Sequence, residues 1–498
     1  MRGAALAYIE EVVDDSRAAE VIEPLMASGG RPRQLSVRSL LIGMLLSCAH
    51  ERPAHLTRVH EALVDLGEPD RWRLGIVVRW RGGEHLLTYR QVEWTFGRVV
   101  AACVRPDPDG TPSVLLRQVI DELLEASIPE RWKKATGSYA IDWSDLECFS
   151  RPPGEKGGRC ADPEASWGRR AADQPGVTHE LFYGYEMQAA TMVRDENGPA
   201  VPELARRMLL TTCSVDPPPA FVAVLADMKR SRIEITDVLS DSGYAHRVPE
   251  HWAGPVRALG AQIVTDHHPH DRGPRGSFMG ATVSNGNLYC PATSPVLLSL
   301  GPLHRSATRD ETDLHDQMTS ELARYKLGRT SRDDEDGYHR VMCPAVMGKL
   351  RCPLRPASMA LALDRPEVLK GPEHPPVCCQ QQTITVPPEV NLKTAQKHDY
   401  PSKAHRASYA RRTAVERTFS TVNDPASHDV SRGWCRLMGL APITLFLACV
   451  FVVRNDRIVR AFEEREVAEA ARETSGRPPL SRRRRRRSLD DLVAVPTG

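Results

Sequence analysis

The chain has 498 residues, 41% hydrophobic and 26% charged, an ordinary globular composition too long for one core; at ~100–200 residues per unit, about three units are expected. Its 66 Lys+Arg nearly cancel its 64 Asp+Glu, which excludes a uniformly basic or acidic protein. The longest apolar run, residues 443–453 (ITLFLACVFVV), is too short to cross a hydrocarbon layer of ~30 Å and reads as a buried helix, so no membrane span is expected.

Residues 1–15 carry acidic side chains where a secretion signal needs an apolar core, so a cytosolic chain with reduced cysteines is expected. Residues 1–130 read as a separate helical domain: 37–48 are apolar on most sides, and 113–126 (SVLLRQVIDELLEA) repeat at helical spacing. Residues 137–142 (GSYAID) form a short β-prone run that ends on a carboxylate, and a Pro/Gly-rich loop follows over 151–175. Strands are expected at 181–193 and 208–215, a helix at 220–230, and strands at 233–239 and 261–265 with a short helix between them. That succession is α/β.

Residues 271–400 are rich in Pro, Gly and Cys and read as a β-rich insertion, with Asn285-Gly286 as a hairpin signal. Residues 404–423 read as one helix stopped at Asp424-Pro425, and 437–457 as another. The tail, 466–498, is basic and reads as disordered beyond about residue 474; its arginine run, 482–487, is either a DNA contact or a solvated segment.

Phosphodiester cleavage asks a protein chiefly to position metal ions, and hard oxygen ligands from separate segments do this best. Asp142 ends the β-prone run, Asp241 follows a strand, and Glu416 lies within a helix. A lone strand-end Asp is commonly a turn cap. Asp145, Glu147 and Asp237 are nearby carboxylates outside any matched motif.

Three motifs give the set its meaning: Asp142-Trp143-Ser144, Asp241-Ser242-Gly243-Tyr244, and Tyr409, Arg412 and Glu416 at i, i+3 and i+7 on one helix face. Together they resemble the DDE transposases of bacterial insertion sequences, in the Y-R-E-K signature group with a β-rich insertion before the final Glu. Residues 179–188 and Asp162-Pro163-Glu164 are also similar to segments of that family. The resemblance implies an RNase H-like mixed sheet with flanking helices, its catalytic domain split into 131–270 and 401–465. It implies two Mg²⁺ (or Mn²⁺) ions held by Asp142, Asp241 and Glu416, with Tyr409 and Arg412 on DNA phosphate. It further implies cleavage at transposon ends and strand transfer into target DNA by a homodimer on paired ends, at the nucleoid of a bacterial cytoplasm. The N-terminal helices are then candidates for binding the ends.

One position departs: Asn423 stands where the signature has Lys. This keeps open a catalytically inactive, transposase-derived DNA-binding protein, and a nuclease on the same fold is the other alternative. Cys290, Cys343, Cys352 and Cys378, the last followed by Cys379, read as either structural Zn²⁺ ligands or buried thiols. His267, His268 and His270 read as a solvated loop or a substrate contact, and Trp143 and Trp167 as packing or base-stacking residues.

Overall fold

The computed structural model describes residues 2–26, 33–103, 110–154, 158–171, 179–304 and 306–478. The arginine run 482–487 and parts of the 151–175 loop lie outside the described residues. The fold is mixed α/β, with a mixed sheet flanked by helices.

The N-terminal segment carries helices at Arg2–Ser16, Val37–Ala49, Leu56–Val64, Tyr89–Cys103 and Val114–Ala126. Ser36 and Ser113 start two of them by accepting the amides of Ser39 and Leu116. A hairpin, β1 (Val77–Trp80) and β2 (Gly83–Leu86), interrupts the helices, turned by Arg81 and Gly82 at φ 49° and 80°. Periodicity did not reveal these four-residue strands. Nor do the helices keep a core of their own: one buried cluster joins Leu45 and Leu123 to Met187 and Leu210 of the sheet and to Phe446 and Phe451 near the C-terminus.

The reason lies in residues 443–453, which are apolar on every side and so must be enclosed on every side. They belong to a 35-residue helix, Leu440–Thr474, which runs well past the expected end at residue 457. Asp162 and Glu164 fix its start, accepting the amides of Gly439 (3.1 Å) and Leu440 (2.6 Å). Among the described residues no helix is long and apolar enough to cross a membrane.

Strand β3 (Ser138–Glu147) is central in the sheet. At one edge of it, β4 (Ser166–Ala171) and β6 (Ala205–Thr212) pair antiparallel with the two halves of β5 (His179–Val193), which is itself antiparallel to β3. On the other side β7 (Asp237–Ser240) runs parallel to β3, and β8 (Gln262–Thr265) parallel to β7. The expected strands are all present except that β7 begins later than residue 233, and β4 is an addition. Helix Pro217–Arg230 connects β6 to β7.

The insertion holds two three-stranded antiparallel sheets, β9 (Pro274–Phe278), β10 (Ala281–Ser284) and β11 (Asn287–Tyr289), then β12 (Gly328–Arg329), β13 (His339–Met342) and β14 (Thr383–Val386). Asn285 and Gly286 turn β10 into β11 at φ 47° and 79°, as their sequence predicts. The β-rich expectation needs correction, because a 17-residue helix, Arg309–Tyr325, lies between the sheets. Its apolar stripe is thin, with only His315, Thr319 and Leu322 buried, so hydrophobic periodicity is weak there. The Thr308–Glu311 capping box was its legible start signal.

Candidate active site

Asp142 lies in the middle of β3, which continues to Glu147, rather than at a strand end. Asp241 follows β7 directly and caps the short helix Ser242–Ala245, accepting the amides of Gly243 (2.9 Å) and Tyr244 (3.3 Å). Because β3 and β7 are parallel with Ala140 opposite Leu239, Asp142 and Asp241 each follow by two residues on neighbouring strands. Parallel pairing thus delivers both carboxylates to one edge.

The third segment is not the single helix expected over 404–423. Helix Lys403–Tyr409 gives way to a 3₁₀ turn, Ala410–Arg412, before helix Thr413–Val422. The tighter turn sends two adjacent arginines to different acids. Arg411 is buried and donates to Asp237 (2.8 Å), Ser408 (2.7 Å) and the Arg194 carbonyl (3.1 Å), so it pins the segment to β7. Arg412 donates to Asp142 Oδ2 at 2.7 Å and also pairs with Glu416. The Tyr409 ring lies 5.9 Å from the Arg412 guanidinium and stacks on His405 at 5.7 Å. All five motif residues, Asp142, Asp241, Tyr409, Arg412 and Glu416, are therefore brought to one place.

The neighbouring acids have other work. Asp237 is held by both Lys397 (2.8 Å) and Arg411, Asp145 by Arg170 (2.9 Å), and Glu147 lies near Arg170 and Arg432. Two cations keep the Asp237 carboxyl below its ordinary range despite burial. Asp142 goes the other way: burial pushes it up to about 7, the Arg412 charge opposes this, and Asp241 and Glu416 reinforce it.

The floor of the site is aromatic. Tyr244 is fully enclosed between Trp143 and Trp252, each with ring centroids at 4.6 Å, and its hydroxyl donates to Gln188 at 3.0 Å. Gly243 is required by the same packing, since a Cβ there would meet Trp143 at 2.4 Å. Trp143 is thus a packing residue, whereas Trp167 is half exposed and touches Tyr183 edge-on.

Three carboxylates around one guanidinium leave the site with surplus negative charge, and an all-oxygen donor set of this kind suits hard divalent cations. The three do not gather their oxygens within 4.8 Å of one another; among the described residues the group that does so is His246, His268 and Asp271. Arg412, lying against both Asp142 and Glu416, accounts for the wider spacing.

Among the described residues no three cysteine sulfurs lie within 4.8 Å of one another, although Cys343, Cys352 and Cys379 are near enough to Cys290 to push its thiol up further than burial alone does. Cys290, Cys343, Cys352 and Cys378 are buried free thiols, with Cys343 and Cys352 in one small core and Cys378 in its neighbour. His267 is buried, stacked on Tyr400, and bonded to the Thr394 carbonyl, so it is not a solvated loop residue. Asn423 ends helix Thr413–Val422 with a buried Oδ1 that has no hydrogen-bond partner. Sequence reading missed Arg411 and His246; the latter follows the second motif by two residues, which was the available signal.

Neither a protein-family model nor a curated protein sequence matches this chain.

Proposed function

We propose that the chain is a DDE transposase with an RNase H-like catalytic domain, which cuts DNA at transposon ends and joins them to target DNA. The observation that carries this is the Arg412 bridge: segments far apart in sequence meet where Asp142, Glu416 and the neighbouring Asp241 face one guanidinium. Support for the fold comes from the sheet, four antiparallel strands extended by two parallel ones, with the first acid on the central strand and the second beside it.

Asp142 and Asp241 would hold the divalent ions, Mg²⁺ or Mn²⁺, with Glu416 completing the set. When bound, such a pair activates the attacking oxygen and steadies the leaving one. Arg412 is poised for a second task. Its planar fork, now on Asp142, matches a phosphate's oxygens equally well, so it can move from carboxylate to scissile phosphate once cations neutralise the acids. Tyr409 backs the guanidinium, its ring centroid 5.9 Å away. Tyr244, Trp143 and Trp252 close the floor against water, which strengthens every charge interaction above them.

The test is cleavage of a duplex carrying the inverted repeats that flank the gene, with Mg²⁺ or Mn²⁺, comparing the natural chain with Asp142→Ala and Glu416→Ala. Nicking at the repeat boundary, abolished by both substitutions, is the expected result. End binding with no cleavage favours the non-catalytic reading that Asn423 keeps open, and cleavage that survives both changes moves the site elsewhere. A homodimer on paired ends belongs to the same proposal and is read from the mass of the chain–DNA complex.

A further inference from the structure

Beside the carboxylates lies a second cluster of a different chemical kind. His246 ends the helix that Asp241 begins, while His268 and Asp271 belong to the 3₁₀ turn that follows β8. The His246 and His268 rings have centroids 3.9 Å apart, and His246 Nδ1 is 3.5 Å from Asp271 Oδ2. One ligand atom from each of the three residues lies within 4.8 Å of the others.

The carboxylate is divided in use. Asp271 Oδ1 accepts from Lys393 Nζ at 2.8 Å, which orients the group, whereas Oδ2 has only His246 Nδ1, at 3.5 Å, beside it. A buried carboxylate oxygen so weakly met is costly unless something electropositive reaches it. The two imidazoles beside it are the means. The His268 ring lies against His246 at 3.9 Å and His270 at 5.0 Å between centroids. His268 Nδ1 currently accepts the His270 amide at 3.3 Å, a contact long enough to give up. His246 is exposed, so an ion can reach the cluster from solvent.

We propose that His246, His268 and Asp271 form a binding site for one borderline divalent ion, Zn²⁺ by preference, separate from the all-oxygen set at Asp142, Asp241 and Glu416. Two imidazoles and a carboxylate select this class over Mg²⁺, which prefers oxygen donors throughout. Lys393 on the far oxygen of Asp271 is the outer partner that such sites use to orient a ligand. A bound ion would clamp helix Ser242–Ala245 to the turn after β8. That tie runs beside an existing one, the 2.9 Å bond from Thr265 Oγ1 to the Asp241 carbonyl, and so steadies the loop carrying Asp241. The site stands whether or not the chain cuts DNA.

Co²⁺ titration of the full chain, followed by visible absorption, tests this without any activity readout. With excess Mg²⁺ present to occupy the carboxylate set, the natural chain is expected to bind one Co²⁺ with a ligand-field spectrum free of thiolate charge transfer, and Zn²⁺ to displace it. His246→Gln, at an exposed position that leaves folding intact, and His268→Ala should each weaken binding at least about tenfold. Asp142→Asn should leave it unchanged. Binding that survives both histidine changes, or a spectrum dominated by thiolate bands, overturns the assignment in favour of the cysteines; absence of Co²⁺ binding overturns it outright.

Discussion

Arg412 donates to Asp142 at 2.7 Å from the turn that precedes Glu416, so a single side chain joins the central strand to the third segment. Asp142 and Arg412 are both largely buried, with 14% and 12% of their side chains exposed. Removing one member of such a pair leaves the other charged in a poor solvent. Arg412→Ala is therefore expected to lower stability by about 3–5 kcal/mol near pH 8. Mn²⁺ should then raise the melting temperature of Arg412→Ala more than that of the natural chain. Equal metal-induced shifts would count against cations and Arg412 competing for the same carboxylates.

Asp142 titrates from an ordinary 3.8 up to about 7 on folding. Between those values the folded chain holds a proton that the unfolded chain has lost. Stability contributed by this group is thus full below about pH 4 and falls as pH rises toward 7, by an amount on the order of a few kcal/mol. Asp142→Asn should flatten that fall, giving a variant whose stability in EDTA changes less between pH 5 and pH 8 than that of the natural chain. Denaturant midpoints at pH 5 and pH 8 measure it, and parallel pH slopes in the two proteins would sink the idea.

Gly243 lets the second motif approach the first. A Cβ there would lie 2.4 Å from the Trp143 ring and 3.1 Å from Asp241 Oδ1. Gly243→Ala is expected to cost about 1–3 kcal/mol, as overpacking does. Trp143→Leu should relieve part of this, so a double-mutant cycle on melting free energies should give a coupling above about 0.5 kcal/mol. Simple additivity would mean that the two residues do not meet.

Asn455 sits among the buried apolar residues of the C-terminal helix and treats Ala205 like a neighbouring strand. Its side chain accepts the Ala205 amide and donates to the Ala205 carbonyl and to Ser127 Oγ, each at 2.9 Å. Asn455→Leu should destabilise the chain by about 1–3 kcal/mol for each group left unpaired. Amide exchange at Ala205 should quicken; unchanged protection there would show that the helix, not Asn455, closes the end of β6.

The amino-acid sequence determined what is local. Five of the six strands of the central sheet, the Asn285-Gly286 turn, the buried character of residues 443–453 and the three acidic motifs each depend on neighbours within a turn or two, and each could be read there. Tertiary structure decided which charge meets which. Arg411 and Arg412 are adjacent and chemically identical, yet a 3₁₀ turn sends one to Asp237 and the other to Asp142. The pairing of His246 with His268 and Asp271 and the sharing of one core by N-terminal helices, sheet and C-terminal helix arise in the same way. Contacts of this kind depend on the register of parallel strands and on which faces pack together, and no window of sequence encodes either.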